Sequence, residues 1–291
     1  GGVLALVAQR AAGAMSAVTY VGPLERAAIA FYSLAFYLWK MLIPSRLSPL
    51  YELPARVEPF TWPYVASPIV VVALSVLAIA LRRRWRAFSV AWASYVVTLL
   101  PVSGLVQVGP QIAADRYTYL ACLGFAILAG GAFARVRLAL RNRRATGVLL
   151  GAGAGVLAVA LVVLTLNQTR IWRDSETLWT HALAVAPSAI AHAKLGVVRD
   201  EQGKPEEAIA HYRAALRIHP DMPDTYNNWG IALARQGRWQ EAIEQYENAL
   251  KLAPGSAEAH ANLAVVLERV GRVAEAAQHA RTALRIQRER R

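Results

Sequence analysis

The sequence has little cysteine and little acid. Cys122 is the single cysteine in 291 residues, which excludes an intramolecular disulfide and a zinc site built from several thiolates. Only 19 Asp and Glu stand against 32 Lys and Arg, so the formal net charge is +13. Charged residues make up 18% of the chain and hydrophobic residues 56%. Soluble domains usually carry about a quarter charged residues, so this composition favours a membrane protein.

Familiar catalytic and cofactor motifs are also missing from the sequence. It has no phosphate-binding loop ending in Lys-Ser/Thr and no nucleophile elbow. The stretch Gly151-Ala-Gly-Ala-Gly155 lies inside an apolar run, so it favours close helix packing through Gly147, Gly151 and Gly155 over a dinucleotide loop. No two of the 6 histidines make a metal-binding spacing together with a carboxylate. We therefore expect no metal site and no cofactor, and expect His192 and His260 to be packing residues.

The positive charge is concentrated in one half of the chain. Residues 1–169 hold 15 Lys or Arg against 4 Asp or Glu, whereas residues 170–291 hold 17 against 15. A nucleic-acid-binding domain would carry its basic residues on a solvated face. Here they accompany the apolar half, so we expect membrane lipids and not nucleic acid as partners.

Residues 1–169 are predicted to be the C-terminal part of a multi-span membrane domain. Four apolar runs lack interior charge and approach the roughly 20 residues that cross a bilayer; they are Tyr64–Leu81, Ala87–Val106, Tyr117–Ala134 and Thr146–Leu166. A fifth run, Ala27–Ile43, contains Lys40 and is interpreted as a shorter span or an interfacial helix. The chain opens inside the apolar run Gly1–Ala8, without the basic start of a signal peptide, so we expect further sequence upstream.

Two arginine clusters predict how these spans are oriented. The first cluster follows the first long run, and the second follows the third; they are Arg82, Arg83, Arg84 and Arg86, and Arg135, Arg137, Arg141, Arg143 and Arg144. The positive-inside rule makes both clusters cytoplasmic. The loops 46–63 and 107–116, and everything after Leu166, are then on the outer side. We expect a multi-pass protein of a bacterial inner membrane with a periplasmic C-terminal half.

Residues 170–291 repeat with a period of about 34 residues. The recurring positions carry small residues where paired helices touch and large residues between them; they are Leu195-Gly196, Trp229-Gly230 and Leu263-Ala264, then Ala208, Ala242 and Ala276, then Ala215, Ala249 and Ala283. This period and these anchors are typical of tetratricopeptide repeats. We predict a half repeat at 174–188 and repeats at 189–222, 223–256 and 257–291. The fold class is therefore all-α, a polytopic transmembrane helical domain followed by an α-solenoid.

One polar position recurs along the inner helices of this solenoid. Lys194, Asn228 and Asn262 are spaced by one repeat each and should form a ladder facing the concave groove. Side-chain amides can pair with the backbone of an extended peptide. The sequence thus predicts a groove for proteins or peptides, although Asn is also common at this position without such a role.

A polar cluster at the membrane surface is the other candidate site. Asp115, Arg116 and Tyr117 open the third long run, and the preceding outer loop adds Arg46 and Glu52; we call these five residues the mouth residues. An arginine at the interface can bind the phosphate of a lipid-linked sugar. The alternative is that Asp115 and Arg116 pair with each other while Tyr117 anchors the helix.

Several segments together resemble one protein family. They are Tyr37-Leu-Trp-Lys-Met-Leu-Ile-Pro44, Gln107-Val-Gly-Pro-Gln111, Ala114-Asp-Arg-Tyr-Thr-Tyr-Leu120, Trp172-Arg-Asp-Ser175 and the repeats. In this order they are similar to the transmembrane and tetratricopeptide-repeat protein O-mannosyltransferases and their bacterial relatives, with Ala121 where that family has proline. The resemblance implies a polyprenyl-phosphate sugar as donor substrate and repeats that handle acceptor proteins. It gives Asp115, Arg116 and Tyr117 a role near the donor phosphate, and it puts the catalytic carboxylate in a loop upstream of Gly1.

Two functions follow from these predictions. The first is a glycosyltransferase-like protein that transfers a sugar from a lipid phosphate to a protein hydroxyl, with no catalytic residue inside this chain. The second is a non-catalytic membrane scaffold whose repeats assemble envelope proteins.

Overall fold

A computed structural model describes residues 22–44, 47–52, 57–105, 111–114, 117–140 and 144–289, apart from the side chains of Gln111, Ile112 and Arg144. It confirms the all-α class, since helices dominate and the described strands are two very short ones. The chain divides into two compact units, Gly1–Arg170 and Ile171–Arg291.

The first unit contains six helices and two short strands among the described residues. In chain order they are α1 (Pro23–Leu42), β1 (Tyr51–Glu52), α2 (Trp62–Ala80), α3 (Arg86–Leu99), β2 (Gln111–Ala113), α4 (Thr118–Ala121), α5 (Leu123–Ala139) and α6 (Arg144–Ile171). Prolines stand in the first turns of α1 and α2, where the missing N–H is harmless.

Three helices in the described residues are long and apolar enough to cross a membrane: Trp62–Ala80, Thr118–Ala139 and Ala145–Ile171. They correspond to three of the four long runs predicted from the sequence. The run Ala87–Val106 differs, because its α-helix ends at Leu99 and continues only as a 3-10 turn, Leu100–Val102. Pro101 explains the early end, since a proline has no N–H to donate to the carbonyl four residues earlier, that of Val97.

The core of the first unit lies around α1, α2 and α3. Ile29, Tyr37, Trp92 and Tyr95 are among its buried side chains. The phenol of Tyr95 donates a hydrogen bond to the carbonyl of Leu34, so α3 is fixed to α1 by a polar contact inside an apolar cluster. Most of α1 is therefore a packed helix, whereas α6 exposes nearly every described residue within its own unit.

The glycine stripe of α6 contacts nothing in the described structure. Added Cβ atoms at Gly147, Gly151 and Gly155 would meet no atom within 4 Å. The prediction that these glycines sit in the interior of a helix holds. The predicted close helix contact is not formed by the described part of this chain.

The second unit is a run of antiparallel helices. They are α7 (Ser175–Val185), α8 (Ala189–Glu201), α9 (Pro205–Ile218), α10 (Pro223–Arg235), α11 (Trp239–Leu252), α12 (Ala257–Arg269) and α13 (Val273–Glu289). Helices α8 to α13 form three consecutive pairs. Each pair turns at a glycine with positive φ, at Gly203, Gly237 and Gly271, which is the backbone conformation that glycine adopts most readily.

The core of the solenoid repeats with the same period as the sequence. Ala208, Tyr212, Ala242 and Tyr246 are buried together with residues of the neighbouring helices. Ser188 and Ser256 cap α8 and α12 by accepting hydrogen bonds from Ala191 N and Ala259 N. The repeat pattern therefore encodes the contacts between helices, whereas the serine cap is absent from the middle repeat, where Met222 precedes α10.

Candidate functional site

The strands β1 and β2 bring together two loops that the sequence assigns to the same side of the membrane. They pair antiparallel, with Tyr51 opposite Ala113 and Glu52 opposite Gln111. Glu52 is thus held beside the segment that leads directly into Asp115. Asp115, Arg116 and Arg46 themselves lie outside the described residues, and Tyr117 begins the turn into α4 as a half-buried residue.

The segment before Asp115 is attached to helix α1. Ala113 and Ala114 are fully buried. The backbone N–H of Ala114 donates a hydrogen bond to the phenol oxygen of Tyr37 (2.9 Å). Tyr117 N donates to the carbonyl of Ala114 (3.1 Å). A buried side chain of α1 therefore fixes where the chain enters the mouth residues.

Lys40 joins this site in the structure, although sequence reasoning treated it only as a charge in an apolar run. Its Nζ lies 5.3 Å from the ring centroid of Tyr51 and 5.5 Å from that of Phe36. The two rings pack edge to face at 4.7 Å. Aromatic faces attract a cation at such distances, so Tyr51 positions the ammonium next to the strand pair. The spacing Phe36–Lys40, one helical turn, is the only signal in the sequence.

In the second unit, the predicted polar ladder is only partly available to a ligand. Lys194 is exposed, and Asn228 and Asn262 are half-buried, each as the sixth residue of its helix. The amide of Asn262 donates to Asn227 Oδ1 (3.0 Å). One of its two donors therefore serves the solenoid itself.

Asn227 is a structural residue that the sequence analysis missed. It is buried, accepts from Asn262 and donates to Glu258 Oε1 (3.0 Å). Both partners lie on α12, so a single amide on α10 joins two successive inner helices. The sequence pattern selects its neighbour Asn228, which recurs as Asn262 one repeat later, and therefore does not identify Asn227.

Four of the histidines form two pairs. His192 Nδ1 faces His211 Nδ1 at 3.1 Å, and His260 Nδ1 faces His279 Nδ1 at 2.8 Å. The second pair recurs at the positions of the first, two repeats later. His260 Nε2 also lies 3.1 Å from the carbonyl of Pro254. This nitrogen must carry the proton to donate there, so in the neutral pair His279 Nδ1–H donates to His260 Nδ1.

The surroundings of His192, His211 and His279 lower the pKa of each ring and so favour its neutral form. Burial lowers the pKa of His192, and the positive charges of His211 and Arg217 lower it further. Burial and Arg199 lower the pKa of His211 against an opposing effect of Glu207. The described residues contain no group of three or more His, Cys, Asp or Glu able to hold a metal ion. The pairs are interhelical contacts whose strength depends on protonation.

The fold now defines a class: a protein with helices apolar enough for a membrane and a C-terminal tetratricopeptide solenoid. Residues 221–289 match the family model described as Tetratricopeptide repeat, and residues 201–237 match one described as TPR repeat. Solenoids of this kind present concave surfaces to peptides and proteins.

The relatives match what the sequence resemblance predicts. A stretch of 129 residues is 34% identical to "Protein O-mannosyl-transferase Tmtc2" of Drosophila melanogaster, covering 44% of this chain and 13% of that protein. A stretch of 212 residues is 28% identical to "Protein O-mannosyl-transferase TMTC1" of Homo sapiens, covering 68% of this chain and 23% of that protein. These matches confirm the resemblance to the repeat-containing O-mannosyltransferases. The chain spans less than a quarter of the length of either relative.

Among solved structures, the crystal structure of MamA is similar over 40% of this chain and 67% of its own. It shares 23% sequence identity with a TM-score of 0.37.

Proposed function

We propose that this chain is part of a membrane-embedded glycosyltransferase that uses a polyprenyl-phosphate sugar as donor. Its repeats bind the acceptor protein on the outer, periplasmic side of a bacterial inner membrane. The observation that carries the proposal is the pairing of β1 with β2 beside Lys40. That pairing brings the loop containing Glu52 against the strand that leads into Asp115 and Arg116.

The proposed reaction is a displacement at the anomeric carbon of the sugar. The hydroxyl oxygen of an acceptor Ser or Thr forms the new bond to this carbon, and the bond from the carbon to the phosphate oxygen breaks. The polyprenyl phosphate leaves with the bonding electron pair. The hydroxyl proton passes to a carboxylate base, which we assign to a part of the protein outside this chain.

Within this chain, the proposed task is to bind the donor phosphate. Arg116 would pair with the phosphate oxygens in a bidentate manner, and Lys40 would add a point charge. Charge on the leaving phosphate grows as the bond breaks, so cations fixed nearby stabilise the transition state more than the bound donor. The contacts of Lys40 with Phe36 and Tyr51 support such a fixed position.

Replacing Arg116 tests this role in the parent protein, by which we mean the whole glycosyltransferase that we propose to contain this chain. We expect Arg116→Ala to abolish glycan addition to envelope proteins while the protein stays expressed, as measured by mass spectrometry of glycopeptides. Arg135→Ala is the matched control, because it removes one arginine of a predicted cytoplasmic cluster and should leave transfer unchanged. Undiminished transfer by Arg116→Ala would contradict the phosphate role. If the wild-type protein transfers nothing but still retains envelope proteins through its repeats, the scaffold function is favoured.

A further inference from the structure

A groove between α9 and α10 lies apart from the predicted polar ladder. It encloses about 620 Å³ and is lined by Ala210, Arg213, Leu216, Arg217, Tyr226 and Trp229. The two arginines are exposed and lie one helical turn apart on α9, whereas the two aromatic residues are half-buried on α10. The guanidinium of Arg213 lies 5.2 Å from the ring centroid of Trp229. Stacking of this kind fixes the position of the guanidinium, and the guanidinium N–H groups stay free to donate hydrogen bonds to a ligand.

The two guanidiniums have no acidic partner within the described part of the chain. No ion pair there includes Arg213 or Arg217, although several carboxylates on the repeats' surface are paired with other basic side chains. Hydrogen bonds from Arg238 are the main cause of the lowered pKa of Glu241, and the charge of Arg213 lowers it further. That carboxylate is occupied by Nε and Nη2 of Arg238, at 2.7 and 2.6 Å. The groove therefore presents two positive charges that the solenoid itself does not neutralise.

This arrangement is specific to one pair of helices. One repeat later, the equivalents of the two arginines are Glu247 and Lys251, and the aromatic positions hold His260 and Leu263. That neighbouring interface has one charge of each sign and no tryptophan. The next repeat forms the same helix pair without these two arginines and two aromatic residues. The tetratricopeptide pattern therefore does not require them.

The spacing of the arginines fits an extended peptide better than a single small anion. Side chains at i and i+4 of a helix are separated by about 5–6 Å at Cβ. Alternate side chains of an extended strand point to one side and recur about every 7 Å. Two carboxylates at i and i+2 of a peptide can therefore each pair with one guanidinium. The faces of Tyr226 and Trp229 supply an apolar wall for a further side chain on the same side of the strand, two residues before or after the carboxylates.

We propose that this groove binds an acidic, extended segment of a partner protein. Arg213 and Arg217 pair with two alternate carboxylates of the segment, and Trp229 and Tyr226 contact its apolar side chains. The inference rests on that part of the proposed function which assigns protein binding to the repeats. It adds the chemical class of the partner segment and a position distinct from Lys194, Asn228 and Asn262.

The test measures binding of two labelled peptides to the full chain in nanodiscs of neutral lipid. The probes are fluorescein-labelled Gly-Phe-Gly-Glu-Gly-Glu-Gly, in which Phe and both Glu lie on one side of an extended strand, and its counterpart with both Glu replaced by Gln. Binding is followed by fluorescence anisotropy. We expect the Glu peptide to bind about tenfold more tightly, since two partly exposed charge pairs contribute on that order. The double variant Arg213→Gln/Arg217→Gln should lose this preference.

The chain offers a closely matched control. Arg281 and Arg285 occupy the same positions two repeats later, on α13. In the described residues no further helix follows α13, so these arginines have no aromatic wall beside them. Arg281→Gln/Arg285→Gln removes the same net charge and should bind the Glu peptide as the wild type does. Equal loss in both double variants would mean non-specific attraction and overturn the proposal, as would unchanged binding by the groove variant.

Two further comparisons separate the possible failures. Inorganic phosphate that competes as well as the peptide would contradict a peptide groove. If the parent protein transfers sugar normally but binds the Glu and Gln peptides equally, this inference alone is overturned. Preferential peptide binding by a parent protein that transfers no sugar would support the groove and contradict the glycosyltransferase.

Discussion

At the scale of single residues, the smallest side chains of the repeats lie where an aromatic ring of the paired helix approaches. A Cβ added at Gly196 would lie 2.4 Å from the ring of Tyr212, and one at Gly230 would lie 2.6 Å from the ring of Tyr246. In the third repeat, the same two positions hold Ala264 and Ala280. The glycines are therefore explained by the tyrosines opposite them, and the third repeat dispenses with both.

The first prediction concerns this pairing. Gly230→Ala should lower the free energy of unfolding of the repeats by about 1–3 kcal/mol through overpacking, despite the roughly 1 kcal/mol by which alanine favours a helix over glycine. In a Tyr246→Ala background the same change should become neutral or stabilising, because the clash is gone. Chemical denaturation of the four proteins of this double-mutant cycle measures the coupling. Identical effects of Gly230→Ala in both backgrounds would contradict the steric explanation.

Two neighbouring asparagines differ in what they do. Asn227 is buried between Glu258 and Asn262, whereas Asn228 is half-buried at the predicted ladder position. Sequence spacing selects Asn228, because an asparagine recurs one repeat later. It does not select Asn227, whose counterparts in the preceding and following repeats, Ala193 and Ala261, lack an amide.

The second prediction separates these two residues. Asn227→Ala removes a buried amide, with its hydrogen bonds to Glu258 and Asn262, and leaves the half-buried amide of Asn262 without this partner. It should destabilise the solenoid by about 1–3 kcal/mol. Asn228→Ala, the matched control, should change stability by less than about 0.5 kcal/mol. Thermal unfolding of both variants provides the measurement. A larger effect for Asn228→Ala would reverse the assignment.

At the scale of helices and strands, local signals predicted most of the fold. Apolar length and the repeat period identify the long helices and the repeat pairs, since both patterns are written into consecutive residues. The early end of α3 follows from Pro101, a signal present in the sequence but outweighed there by the length of the apolar run. The strands β1 and β2 are too short to show an alternation of polar and apolar residues in the sequence. They form only because two segments that are distant in the chain pair with each other.

The histidine pairs show the same limit. Each pair joins two helices, and the sequence gives no sign that His192 faces His211 or that His260 faces His279. Only the recurrence of both positions two repeats later distinguishes them. The middle repeat has Tyr226 and Gln245 at the equivalent positions, so the repeat fold does not depend on a pair of histidines.

The third prediction is a pH dependence at these interfaces. The folded-state pKa values of His192, His211 and His279 lie below the ordinary value, so the unfolded chain binds more protons than the folded chain as the pH falls through about 6.5. This contribution to stability is complete above about pH 6.5 and is lost below it. We expect the midpoint temperature of unfolding, followed by circular dichroism, to decrease as the pH is lowered from about 7.5 to about 5.5.

The charges facing the pairs determine the size of this effect. Arg199 and Arg217 face the first pair together with Glu207, and Arg272 faces the second pair together with Glu247 and Glu275. The double variant His260→Tyr/His279→Gln, which copies the middle repeat, should reduce the pH dependence. A dependence as steep as that of the wild type would assign it to the carboxylates instead.

At the scale of the whole molecule, charge distribution predicts topology, and topology determines what the two candidate sites can reach. The strand pair and the repeats belong to separate units, and for each of them the positive-inside rule predicts an outer location. The mouth residues as a surface cluster stay a prediction from their place at the end of an apolar run. The position of Lys40 beside Tyr51 and the α9–α10 groove could not be predicted, because each depends on contacts between different elements.

The fourth prediction is the side of the membrane on which each region lies. The single cysteine makes a labelling experiment direct: in a Cys122→Ser background, Lys194→Cys and Arg83→Cys provide one site in the repeats and one in the first arginine cluster. A membrane-impermeant maleimide should label Lys194→Cys in intact spheroplasts and Arg83→Cys only after permeabilisation. The opposite pattern would reverse the orientation.

Sugar transfer by the purified parent protein in liposomes decides whether this protein is a glycosyltransferase that uses Arg116. The liposomes contain a panel of radiolabelled polyprenyl-phosphate sugars and an acceptor protein rich in Ser and Thr. We expect label attached to the acceptor through hydroxyl oxygens, released by alkaline β-elimination and abolished by Arg116→Ala. A folded wild-type protein that transfers no label from any donor, or an Arg116→Ala variant that transfers as well as the wild type, would contradict it.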